Sequence, residues 1–149
     1  MSFIGTWRAT VNVNIPGGSD NSVDQLDITS EPVIGANLQL LRQDVVNFVA
    51  PNGPCTAMIS SAFALTVKTV TATAFTCSTA DGGCSVTGGS CGITCAALGT
   101  LPDVTFTLSN GALIGTGFPT AETFVRTRAL ASTGAAGRPT FHVWHRAVR

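Results

Sequence analysis

The sequence predicts an all-β fold, an antiparallel β-sandwich or jelly roll, in a single β domain over residues 1–149. Three observations lead there. Apolar and polar side chains alternate with a period of two through several segments, as in half-buried strands. With 21 Thr and 11 Ser against one Lys and two Glu, the composition suits strands better than exposed helices. Gly, Pro and Asn cluster at intervals that would turn one strand into the next. Periodicity does not separate a sandwich from a barrel.

The opening segment carries the cleanest pattern. Trp7, Ala9, Val11, Val13 and Ile15 share one face, and Arg8, Thr10, Asn12 and Asn14 the other. Pro16-Gly17-Gly18-Ser19 ends it. Residues 23–28 read as a weaker strand with an acidic outer side. Residues 33–49 fit two templates: Leu38, Leu41, Val45 and Phe48 form a helical stripe, whereas Leu38, Leu40, Val46 and Phe48 fit a period of two. The β-branched pair Val45-Val46 tips the reading to two strands, with a short helix as the alternative. Asn52-Gly53-Pro54 is a turn.

Residues 59–77 read as one long strand or two joined by a bend. Phe63, Leu65, Val67 and Phe75 hold one face, and small or hydroxyl-bearing residues the other. Long flat strands need protected edges, which neighbouring subunits can supply. Val104, Phe106 and Leu108 alternate with Thr105, Thr107 and Ser109 ahead of Asn110-Gly111, the strongest two-residue hairpin signal. Residues 121–131 give a further strand, 132–139 a connection, and 140–148 a last strand.

Cys77, Cys84, Cys91 and Cys95 are the candidate disulfide residues, with Cys55 as an odd fifth. Their spacing, C-x6-C-x6-C-x3-C, lacks the paired short steps of structural zinc sites and the C-x-x-C of redox pairs. Gly82-Gly83 and Gly88-Gly89 allow the backbone to fold back and bring sulfurs together. One or two disulfides are expected in an oxidising setting, and small buried thiols in a reducing one.

Charge is scarce, at 11% of residues, and unevenly placed. Residues 1–103 carry a formal −4 and residues 104–149 a formal +4. Complementary patches of this kind could join neighbouring copies. The candidate interface residues are Trp7, Arg126, Arg128, Trp144 and Arg146. No nucleic-acid-binding motif is present, no apolar run reaches membrane-spanning length, and the first residues do not read as a secretory signal.

Catalytic signatures are missing. His142 and His145, the only histidines, would point to opposite faces of a regular strand. Asp20, Asp24, Asp27 and Glu31 read as a solvated acidic edge, not a calcium loop. No enzyme activity, cofactor or metal is expected. The sequence points to a structural, self-assembling subunit of a virus or phage particle (capsid, decoration or tail). It would be located in a virion or extracellular particle, with copies of itself or other structural subunits as partners. The alternative is a carbohydrate- or receptor-binding β module, with Trp7 and Trp144 as an aromatic platform.

Overall fold

The computed structural model describes residues 2–88 and 91–128. Eight strands occur in chain order: β1 Gly5–Ile15, β2 Gly18–Ile28, β3 Asn37–Ala50, β4 Gly53–Val70, β5 Ala74–Thr87, β6 Val104–Ser109, β7 Ala112–Thr116 and β8 Glu122–Arg128. Each pairs antiparallel with the next, and β8 returns to β1, so the sheet is a closed barrel. The sandwich or jelly-roll expectation is therefore corrected. One meandering sheet curls until Thr6–Arg8 meet residues 125–128, with a register shift between Thr6 and Trp7. Closure pairs the end strands with each other and removes the open edges of a sandwich.

Residues 33–49 resolve into a loop and the single strand β3, not two strands. The period-two face wins because its β2 and β4 neighbours continue it: Leu26, Leu40 and Phe63 lie directly across from one another. Residues 59–77 divide between β4 and β5 at a turn, where Thr71 Oγ1 accepts a hydrogen bond from the Ala74 amide at 3.0 Å. Asn110-Gly111 makes the expected β6–β7 hairpin, and both residues take positive φ, 50° and 81°. That is the conformation the tight hairpin turn requires. The expected strand at 140–148 lies outside the described residues.

Apolar side chains point inward, while Arg8, Thr10, Asn12 and Asn14 show the polar outer face of β1. No helix among the described residues is long and apolar enough to cross a membrane.

One end of the barrel is filled by Trp7, Leu26, Ile28, Leu40, Leu65 and a run of phenylalanines. Phe106 lies at the centre of that run, with ring centroids 5.1 Å from Phe75, 5.7 Å from Phe124 and 6.1 Å from Phe118. Trp7 is fully buried, and its Nε1–H donates to the Phe3 carbonyl at 2.8 Å. Arg126 lies over the indole, 4.6 Å from the ring centroid, and donates from Nη2 to the Ser2 carbonyl. The N-terminal residues and β8 thus seal this end together.

Candidate binding site inside the barrel

Above the apolar plug the interior changes character. Cross-strand register stacks Ala9, Asp24, Arg42 and Ser61 in one layer of β1–β4. The next layer holds Val11, Ser22, Asp44 and Ile59, and the one beyond it Val13, Asp20, Val46 and Ala57. Residues directly opposite on paired strands share a face. The inward parity that supplies Leu26 and Leu40 therefore also carries Asp20, Asp24, Arg42 and Asp44 into the barrel. Glu122 joins them from β8.

Arg42 organises this layer. Its Nε and Nη2 donate to the two oxygens of Asp24, and Nη2 donates also to Glu122 Oε1 at 2.6 Å. All three side chains are at most 4% exposed. The Arg42 Cζ lies 5.9 Å from the Phe63 ring centroid. Burial lowers the guanidinium pKa, but the bond to Asp24 and the charges of Asp24, Glu122 and Asp44 more than reverse this. Arg42 is a permanent cation here.

Asp44 is 1% exposed, and its Oδ2 is buried without a hydrogen-bond partner among the described residues. Burial, then the charge of Asp20 beside it, pushes the carboxyl up to about 9; Arg42 opposes the shift and Asp24 adds to it. A side-chain hydrogen bond joins Asp44 to Asp20. At neutral pH the Asp44 carboxyl is held in its protonated form.

Two cavities meet at this layer, with Arg42 and Pro119 in the walls of both. The first, about 240 Å³, is mainly apolar, lined by Phe63, Leu98, Leu101, Val104 and Phe118. Thr79 also lines it, and its buried Oγ1 has no hydrogen-bond partner among the described residues. The second, about 250 Å³, is acidic, with Asp20, Ser22, Asp44 and Glu122 in its wall. Gly117 lets the chain run close beside the apolar cavity: at φ 98°, an added Cβ would lie 2.2 Å from the Asp103 carbonyl oxygen.

The segment between β5 and β6 supplies Leu98, Leu101 and Pro102 to the apolar cavity. Two disulfides pin its start: Cys55–Cys91 ties it to β4, and Cys84–Cys95 ties it to β5. Ile93 sits between these bridges in a small core with Val46, Ala57 and Ile59. At its far end Lys68 bonds Asp103 at 2.6 Å, but the pair is about half exposed (51% and 45%) and adds little.

The structure distributes the sequence-derived candidates differently. Cys84, Cys91 and Cys95 are bridged, but Cys91 takes Cys55, the residue set aside as odd, and Cys77 is a buried free thiol. Cys77 packs in the apolar core instead, directly across from Val67 and Val104. Trp7 is buried in the plug and Arg126 is engaged on it. Arg128 ends β8, paired with Thr6. Trp144, Arg146, His142 and His145 lie outside the described residues. Of the expected acidic edge, Asp20 and Asp24 face inward. Glu31 instead accepts hydrogen bonds from Ser2 Oγ and, at 3.2 Å, from the Phe3 amide.

Arg42, Asp44, Thr79 and Glu122 were not singled out from the sequence. A signal existed: Arg42 and Asp44 share the parity of Leu40 and Val46, and Glu122 that of Phe124. Among the described residues, no three His, Cys, Asp or Glu side chains converge as a metal-ligand set. Comparisons with protein-family models, curated proteins and solved structures returned no match.

Proposed function

We propose that the protein is a binding module that holds one small amphipathic molecule inside its barrel. The apolar cavity carries this reading. It has a buried hydroxyl without a hydrogen-bond partner among the described residues, Thr79 Oγ1, and Arg42 lies in its wall. Buried polar groups are normally satisfied, so such atoms beside an apolar cavity support a ligand that bonds to them. Eight-stranded barrels have room for packed side chains or one small ligand. Here packing fills one end, and polar groups with cavities occupy the rest. Each cavity is below the roughly 300–1,000 Å³ of drug-sized sites, so the ligand is compact or spans both. The two disulfides favour a working place outside a reducing cytosol.

Titration calorimetry with 2-phenylethanol and longer aliphatic alcohols tests the reading. Saturable binding by the wild type, with the alcohol recovered unchanged, is expected. Leu98→Trp should abolish it by filling the apolar cavity from the crossing segment, while the β-rich spectrum and both disulfides persist. Absence of binding across the series, or equal binding by the Leu98→Trp variant, refutes the proposal.

Assembly into a particle is the second reading, favoured by scarce charge and by exposed Val33 and Ile34 (63% and 72%) in the β2–β3 loop. Barrel closure takes away its edge-protection argument. Mass measured over a range of concentration and salt separates the two. Growth into large species supports assembly, and a strict monomer opposes it.

A further inference from the structure

Beside the apolar cavity the barrel wall is not made by strands alone. Among the described residues, β5 pairs with β6 only through Ala74–Cys77, although β5 runs on to Thr87. Cys95 is bridged to Cys84 and Val104 pairs with Cys77, so residues 95–104 retrace β5 toward the start of β6. Residues 91–103 form no strand or α-helix on the way. They are a strap, and Leu98, Leu101 and Pro102 on it wall the cavity.

A segment outside the regular strands opens more easily than they do, so its anchors decide whether the cavity stays shut. Two anchors are the bridges Cys84–Cys95 and Cys55–Cys91. The others are Ile93 in its small core, the packing of Leu98 and Leu101 on the main core, and the half-exposed Lys68–Asp103 pair, which adds little. Cys95 is exposed and Cys55, Cys84 and Cys91 are partly exposed, whereas Cys77 is 0% exposed. A small reductant therefore reaches both bridges without entering the apolar core. We propose that the two bridges are a redox latch on the binding cavity: reduction by a dithiol frees the strap and lets the bound molecule out. This rests on the binding reading above and names how that site is regulated.

Each reduction is a balanced exchange. One thiolate of the dithiol attacks Cys95 Sγ, the S–S bond breaks, and Cys84 leaves as a thiolate. The second thiol of the reductant then displaces Cys95 from the mixed disulfide and closes the reductant's own S–S bond. Two electrons pass to the cysteine pair, whose thiolates take up the two protons that the dithiol gives up. Cys55–Cys91 follows the same course with a second dithiol. The strand-held point ahead of the strap is then Thr87 at the end of β5, and packing of Ile93, Leu98 and Leu101 is left to hold the longer segment up to Val104. A longer tether has more open conformations to visit.

The test titrates the oxidised full chain with 2-phenylethanol and 1-octanol by calorimetry, and repeats the titration after dithiothreitol treatment. Iodoacetamide labelling and far-ultraviolet spectra accompany both. Reduction should weaken binding at least about tenfold, because the wall is no longer in place beforehand, and reoxidation should restore it. The four bridge cysteines should label while Cys77 stays protected, which shows an intact apolar core. A variant combining Cys55→Ser, Cys84→Ser, Cys91→Ser and Cys95→Ser should bind as the reduced protein does and ignore the dithiol. Unchanged affinity once the four cysteines have labelled overturns the latch and leaves the binding module standing, as does a folded four-serine variant that binds like the oxidised wild type. Labelling of Cys77 with loss of the β-rich spectrum also overturns the latch, because the bridges would then hold the whole fold and not the strap; unfolding of the four-serine variant counts the same way. Failure of the oxidised protein to bind either alcohol overturns both readings.

Discussion

Replacing Asp44 by Asn should change how stability depends on pH, with a sign opposite to that of most aspartates. The Asp44 carboxyl is pushed from 3.8 in the unfolded chain to about 9 in the barrel, by burial first and by Asp20 second. Between those values the folded state holds more protons than the unfolded one, so stability falls as pH rises. The contribution is fully present below the unfolded value and is lost progressively up to the folded one. For one proton the slope is on the order of 1 kcal/mol per pH unit, which gives up to about 3–4 kcal/mol between roughly pH 5 and pH 8. Asparagine carries no proton to lose, and its amide can still donate to Asp20. Asp24, Arg42 and Glu122 are common to both proteins and cancel in the comparison. Urea denaturation of wild type and Asp44→Asn at several pH values measures the gap. It should widen steadily in favour of the variant as pH rises. A gap constant to within about 0.5 kcal/mol, a typical limit for additive behaviour, would refute the premise that the folded barrel retains the proton.

Arg42→Met should be strongly destabilising, because it removes the guanidinium that the buried Asp24 and Glu122 share. Breaking such a pair costs about 3–5 kcal/mol in urea denaturation, and adding Asp24→Asn with Glu122→Gln should recover part of it. Joint replacement of Cys55 and Cys91 by Ser should cost about 3–4 kcal/mol on the chain-entropy model, since the bridge spans 36 residues. The crossing segment should then be cut faster in limited proteolysis; unchanged cleavage would show that Ile93 and its neighbours hold it unaided. Cys77 should be inert to thiol reagents in the native protein, because burial raises its thiol to about 12 and the residue is 0% exposed. Denaturation without reductant should release one reactive thiol per chain, and a larger number would contradict the two bridges.

Strands were legible wherever one face meets the core and the other meets water. Trp7 to Ile15 alternate for that reason, and Asn110-Gly111 marks its hairpin because few other residue pairs accept two positive φ values. Closure was not legible. It depends on Thr6–Arg8 meeting residues 125–128, a pairing over more than a hundred residues that leaves the local period of each strand unchanged. The cysteine pairing was hidden similarly. Proximity in sequence grouped Cys77 with the cluster, but β5 carries it past the bridges into the apolar core, and β4 brings Cys55 back beside Cys91. Asp20 and Asp24 were read as a solvated edge because the rule that charge belongs outside was applied residue by residue, and Arg42, Asp44 and Glu122 were passed over. Inward parity, applied to Asp20, Asp24, Arg42, Asp44 and Glu122, would have placed them beside Leu26, Leu40 and Phe124.

Stability alone gives no reason for that interior layer. Exchanging a buried ion-pair network for apolar side chains of similar volume is often neutral or stabilising by about 1–4 kcal/mol, and this barrel has an apolar plug one layer below to show that such packing suits it. The arrangement is costlier than a plain ion pair, because two carboxylates share the Arg42 guanidinium and burial holds the Asp44 carboxyl in its protonated form. On the binding-module reading, a layer of that kind is a prepared polar wall beside the apolar cavity. On that reading, fixed polar groups and an apolar wall are in place before a ligand arrives. The pinned segment from Cys91 to Pro102 serves the same end, since it walls the apolar cavity without adding a flexible loop that binding would have to order.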